Sequence, residues 1–117
     1  MIGSFIAMQN QFRVFHWQTK SYAQHKAFGS AYEDLDGLID EFVEIYQGKN
    51  GIVVPSDGFK IKLENLDDSP SDMIDVFIEF LQNDVEEQLT DTDTDLLNIR
   101  DEMMGLLNKT KYLLMLK

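Results

Sequence analysis

Cysteine is absent from this chain of 117 residues, which excludes disulfides, thiolate metal sites and cysteine nucleophiles. Acidic residues are absent from the first 32 positions, where Arg13, Lys20 and Lys26 stand alone; all 21 carboxylates lie between Glu33 and Glu102. The net charge of -11 and the lack of a basic tail exclude non-specific binding to a phosphate backbone. No long hydrophobic run exists. The runs Ile52-Val53-Val54 and Leu113-Leu114-Met115-Leu116 fall far short of the roughly 20 residues that span a bilayer. Met1 to Met8 is apolar without a basic start, so it reads as mature protein, and a cytoplasmic location is expected. There is no phosphate-cradling glycine loop, no Ser-His-Asp order and no basic aromatic patch for single-stranded nucleic acid.

What is present reads as one helical domain over residues 1–117. Ile2, Phe5, Ile6, Gln9, Phe12, Phe15 and His16 recur at three- and four-residue steps, predicting a helix over 2–19. A second helix over 22–48 carries Tyr22, His25, Gly29, Tyr32, Asp36, Ile39 and Val43 on one stripe, with Leu35, Leu38 and Phe42 beside it. It stops at Gly48 and Gly51. Ser69-Pro70-Ser71-Asp72 opens a third helix with stripe Met73, Phe77, Phe80 and Leu81, continuing to Leu89. A fourth starts near Thr94, with Asp91, Asp93 and Asp95 at its positive end and Lys109, Lys111 and Lys117 at its negative end. Its inner face is Leu96, Ile99, Met103, Leu106, Thr110 and Leu113. Residues 49–68 connect the second helix to the third, and Phe59, Ile61 and Leu63 alternate with charges there as in a short strand or extended run. Twenty residues can run the length of a bundle, so the expected fold is an all-α ferritin-like four-helix bundle with a long crossover between helices 2 and 3. A plain up-down bundle with a surface loop is the alternative.

Two histidines exist, and a tight turn around Lys20 and Ser21 brings His16 and His25 together, offering two neutral nitrogen ligands to a transition metal. Taken alone, each reads as a satisfied core or interface histidine, and it is the pair that suggests a metal. Asp40 and Glu44 share one helix face at i, i+4, as ligands or as part of a solvated acidic stripe. Asp40 is fifteen residues beyond His25, about 22 Å along a helix, so these four residues meet at one metal only if two copies pack with their second helices antiparallel. The Glu-x-x-His motif of classical di-iron bundles is missing, since Arg13 and Tyr22 stand three residues before the histidines. Asp91-x-Asp93-x-Asp95 with Glu102 imitates an EF-hand loop, but Leu96 occupies the glycine position, so these acids read as the start of a helix.

The run Phe15-His16-Trp17, then His25, Tyr32, Asp40 and Glu44, resembles the Dps family, the mini-ferritins, over about thirty residues. The aspartate and glutamate lie fifteen and nineteen residues after the second histidine, as in that family. The two histidines are nine apart rather than the usual twelve, and Gly29 and Ile45 stand where an acid and an arginine are common. The resemblance implies an intersubunit ferroxidase site. His16 and His25 of one subunit and Asp40 and Glu44 of its partner would hold iron, with zinc or manganese next in order. Trp17 would be a packing group and electron donor beside it. It also implies a homo-oligomer, at least a dimer and up to a dodecamer, that oxidises ferrous iron for storage or peroxide detoxification. The reading outside that class is a dimeric structural or interaction module with a degenerate metal site. A monomeric helical adaptor is the third.

Overall fold

The computed structural model describes residues 1–116, and among them there is no β-strand. Helix α1 covers Ile2–Gln18 and α2 Tyr22–Asn50; α3 is Pro70–Glu79, α4 Val85–Gln88 and α5 Thr94–Leu114. A π-helical turn, Phe80–Asp84, joins α3 to α4 with right-handed helical backbone at both joints, so these three pieces form one rod. The described residues therefore form an all-helical bundle of four rods.

Local chemistry sets the boundaries. Ser21 caps α2 by accepting a hydrogen bond from the Gln24 amide at 3.2 Å, which satisfies one of the free N–H groups of a first turn. Gly51 ends α2 at φ 92°, a backbone region that disfavours any side chain. Pro70 begins α3 where its missing N–H costs nothing.

The core is aromatic. Phe5, Met8, Phe12 and Phe15 of α1 are buried against Phe28, Leu35 and Phe42 of α2 and against Ile74, Phe77 and Leu81 of the third rod. The rings of Phe5 and Phe42 lie 4.9 Å apart, those of Phe12 and Phe77 5.7 Å, and those of Phe5 and Phe80 5.2 Å. Loss of one such ring to alanine costs about 3–5 kcal/mol. Helix α5 lies along α2, with Lys49 of α2 beside Asp93 and Asp95 at one end. At the other end Leu113 and Leu116 border a groove with Ala23 and Ala27.

Three details depart from the periodic reading. Met8 and Gln11 are buried on α1, where the expected stripe skipped them. In α5 Leu107 rather than Leu106 is fully buried. The third rod buries Ile74, Phe77, Leu81 and Val85. Its π turn adds a residue to the helical repeat and leaves Phe80 only half-buried.

The connection between α2 and α3 is extended but pairs with no strand. Side-chain amides of α1 replace a ladder. Gln11 donates from Nε2 to the Glu64 carbonyl at 2.7 Å and accepts from the Glu64 amide at 2.7 Å. Gln18 donates to Asn65 Oδ1 at 2.8 Å and accepts from the Leu66 amide at 2.7 Å. Nearer the start of α1, Phe59 lies over Gly3.

Candidate functional site

The turn Thr19-Lys20-Ser21 reverses the chain so that the last turn of α1 faces the first turns of α2, and His16 and His25 meet there. Their rings stack at a centroid distance of 3.8 Å and an interplanar angle of 16°. Each is held by the other's backbone. His16 Nδ1 lies 2.7 Å from the His25 carbonyl, and His25 Nδ1 lies 2.9 Å from the His16 carbonyl. A carbonyl only accepts, so both Nδ1 atoms carry hydrogen and donate, which leaves Nε2 as the lone-pair nitrogen of each neutral ring. His25 also satisfies one of the four carbonyls that the end of α1 leaves without a helical partner.

Gly29 makes this approach possible. A Cβ there would lie 2.9 Å from His16 Cε1 and 3.0 Å from Nδ1, inside van der Waals contact, so the imidazole rests on bare helix backbone. Around the pair, Tyr32 meets His16 edge-on at 5.5 Å and Tyr22 stacks on His25 at 6.4 Å. The Arg13 guanidinium lies 5.0 Å above the Tyr32 ring, and Lys26 Nζ lies 5.7 Å from the Tyr22 ring. Arg13 Nε is buried without a hydrogen-bond partner among the described residues, so the guanidinium is held there by the ring face. At the rim, Trp17 is 69% exposed and Tyr22 74% exposed.

The structure brings together His16 and His25 and leaves the other expected ligands elsewhere. Asp40 and Glu44 are exposed on α2, about 22 Å and further along the axis from His25. Among the described residues no group of three or more His, Asp or Glu side chains converges on a point that could hold a metal ion. The stack is also a poor chelate. Imidazole lone pairs lie in the ring planes, and two nearly parallel planes share no point at ligand distance from both rings. Nδ1–H on a carbonyl with Nε2 free is nevertheless the arrangement that ligating histidines adopt.

A second polar cluster ties α2 to α5. Lys49 Nζ reaches Asp93 Oδ1 at 3.0 Å and Asp95 Oδ1 at 2.5 Å. Its pKa is raised by those bonds, Asp95 first and then Asp93. The Thr90 amide, then Lys49, holds the Asp93 carboxyl below its usual range, and the bond from Lys49 does the same for Asp95. A cation already occupies these acids, consistent with a helix start and not with a calcium loop. This triad was not legible as a unit, because Lys49 lies forty-four residues before Asp93.

A family model described as a family of unknown function, DUF5856, matches residues 16–114. The chain belongs to the DUF5856 family. An uncharacterized 14.6 kDa protein from the mobD-ri intergenic region of Enterobacteria phage T4 is 32% identical over 119 residues, covering 99% of this chain and 86% of that protein. No solved structure matches. This membership corrects the mini-ferritin resemblance, because the matching family is DUF5856 and neither Dps nor another ferritin-like family. The physical reason lies in the turn. With the histidines nine positions apart and Gly29 beneath His16, the imidazoles stack on each other instead of spreading toward a shared ion. Among the described residues no helix is long and apolar enough to cross a membrane.

Proposed function

We propose that this DUF5856 chain is a helical interaction module that works by association, first of all with copies of itself, through the outer face of α1 and α2. One observation carries the reading: the exposed charges of that face enter no ion pair among the described residues. Lys20, Lys26, Glu33, Asp40 and Glu44 are exposed and enter no ion pair among the described residues. Lys49, Arg100 and Lys111, by contrast, are matched to Asp93 and Asp95, to Glu86 and Asp101, and to Asp75. The face changes sign along its length, basic and aromatic at Trp17, Tyr22 and Lys26, acidic at Asp40 and Glu44. Exposed tryptophan and tyrosine beside a cation are the residue types that anchor protein interfaces.

The helix order we propose for the module is the crossover, ferritin-like one. Contacts of Phe59 with Gly3, Glu64 with Gln11 and Leu66 with Gln18 support it, because they follow the connection along α1. So do the ring pairs Phe12–Phe77 and Phe5–Phe80, since α3 then runs back along α1. In that order α1 and α2 share one long face uncovered by the other rods.

The test is solution mass together with the emission of Trp17, the single tryptophan. At tens of micromolar the chain should sediment above its monomer mass of 13.5 kDa, and dilution should shift Trp17 emission to the red as the ring is released to water. A monomer with unshifted emission at all concentrations contradicts the reading.

The iron reading is second, favoured by the two free Nε2 atoms. Since the described residues of one chain supply no converging ligand set, it requires two copies. It predicts ferrous binding and oxidation that fail in His25→Ala and Asp40→Ala while helical content persists. Equal rates in wild type and both variants would end it.

A further inference from the structure

The valley between α1 and the third rod shares no residue with the outer face of α1 and α2 just described, and its chemistry differs. The two rods meet through large rings, Phe12 against Phe77 and Phe5 against Phe80, and bulky side chains hold helix axes apart. Two open grooves result, of about 380 and 360 Å³. They adjoin at Val76, which borders both and is 55% exposed. The first runs over Ser4 and Ala7 of α1 and Phe80 of the π turn, and the second reaches Phe15 and Met73. From Ser4 to Phe15 is about 16 Å along α1, or three helical turns.

The charge of the chain is concentrated beside this valley. Residues 63–99 carry twelve acids and no lysine or arginine, while the other eighty residues hold ten bases against nine acids, so the net charge of -11 belongs to this stretch. Lys62, Lys49, Arg100 and Lys111 reach in from outside it and pair with Glu64, with Asp93 and Asp95, with Glu86 and with Asp75. Asp67, Asp72, Glu79 and Asp84 border the grooves and enter no ion pair among the described residues. The π turn serves this row. Asp72, Val76 and Glu79 stand at i, i+4 and i+7 on one face of α3. In a continuous α-helix Asp84 would lie about 140° round from Glu79. The i to i+5 repeat, closed here by the Val85 amide on the Phe80 carbonyl, turns Asp84 back toward Glu79, and both border the first groove.

We infer that this valley is a docking groove for a helix of another protein, one with apolar side chains along one face and lysine or arginine flanking them. The floor has the right period: Met73, Val76 and Phe80 stand at i, i+3 and i+7, about 10 Å in all, the spacing at which a helix laid in a groove presents its own anchors. Its basic flanks would then meet Asp72, Glu79 and Asp84, which have no cation of their own. A second copy of this chain fits less well. Its exposed apolar residues with nearby lysines are Tyr112, Met115 and Leu116, which occupy little more than one turn of a three-turn valley, and Lys111 beside them is already held by Asp75 at 2.6 Å. Such a contact would also join unlike surfaces, which leads to open chains of copies rather than a closed pair. The groove is separate from the self-association face, so the two readings fail independently.

The probe is a synthetic amphipathic helix of leucine and lysine, about fourteen residues or roughly 21 Å long, titrated into the full chain, with a leucine and glutamate helix of the same length as control. The lysine helix should bind and shift the methyl signals of Ala7, Met73 and Val76 while leaving those of Leu107 in α5; the glutamate helix should not bind. Glu79→Lys/Asp84→Lys should weaken binding by about tenfold. Asp34→Lys/Glu41→Lys makes the same change of net charge at exposed positions on α2 and should weaken it by about twofold at most. Val76→Ser alters no charge at a site already open to water and should cost about threefold to fivefold. Circular dichroism confirms that each variant keeps its helices, and the methyl shifts need no variant. Absence of binding, or shifts confined to other surfaces, overturns the proposal. So does an equal loss in the two double variants, which marks general attraction to an acidic chain, or undiminished affinity in Val76→Ser. If Glu79→Lys/Asp84→Lys lowers the sedimenting mass of the chain with no peptide present, the occupant is a second copy and the proposal falls.

Discussion

The two ends of α2 are fastened by different chemistry. At its C-terminal end Lys49 bridges Asp93 and Asp95, and local charges there are spent on each other. At its N-terminal end two imidazoles hold each other's backbone carbonyls, and Lys20, Lys26 and the Trp17 and Tyr22 rings stay exposed. The first end is closed by attraction that the chain completes within itself. The second is closed by shape and backbone hydrogen bonds, so its charges and rings remain available to another molecule.

The largest way to break this contrast is Gly29→Ala. In an open helix position the change would stabilise by up to about 1 kcal/mol, but here the new methyl meets the His16 ring at 2.9 Å. It should destabilise by about 1–3 kcal/mol, as overpacking does, in urea unfolding. Gly105→Ala, on α5 with nothing within 4 Å, is the matched control and should stabilise. Next comes Gln11→Leu, which strips the connection of both bonds at Glu64 and leaves a backbone amide and carbonyl without partners, a loss of about 1–3 kcal/mol. Hydrogen exchange at Glu64 should rise more than exchange in α5.

The smallest effect sharpens the other end. The Asp93 and Asp95 carboxyls are held below 3.8. Their contribution is therefore present above that value and lost as pH falls through the lowered one. Lys49 is held above 10.5, so its contribution is present below that value and lost as pH rises through the raised one. Contact between α2 and α5 at this end should be flat across the neutral range and loosen only in strong acid or strong base. Methyl shifts of Leu96 and Val53 read this. Lys49→Met should shrink the acid limb to the part that the Thr90 amide gives Asp93, and an acid limb left undiminished by the substitution would remove Lys49 from the account.

Helix boundaries were legible because each rests on a local device: Ser21, Gly51 and Pro70 act within a turn of themselves. The meeting of His16 and His25 was legible for the same reason, since a short turn must bring them close. Contacts that depend on distant residues were not. Nothing near Gln11 says that its amide will clamp Glu64, and nothing in the third stripe marks the π turn that brings Val85 onto the core and leaves Phe80 half-buried. Gly29 could have been noticed, because a glycine amid strong helix formers marks close approach, but the ring it admits is set by the fold. The mini-ferritin likeness rested on the spacing of His25, Asp40 and Glu44, and a single α-helix with polar residues on its outer face can carry that spacing for other reasons.

The account stands or falls on the outer face of α1 and α2 joining two copies, the basic end at Lys26 of each against the acidic end at Asp40 and Glu44 of the other. Sedimentation of wild type, Lys26→Glu and the double variant Lys26→Glu/Asp40→Lys at one matched concentration tests it most directly. The prediction is a dimer for wild type, a monomer for the single reversal, and a dimer again when both signs are exchanged. A single reversal that leaves the wild-type mass unchanged would contradict it.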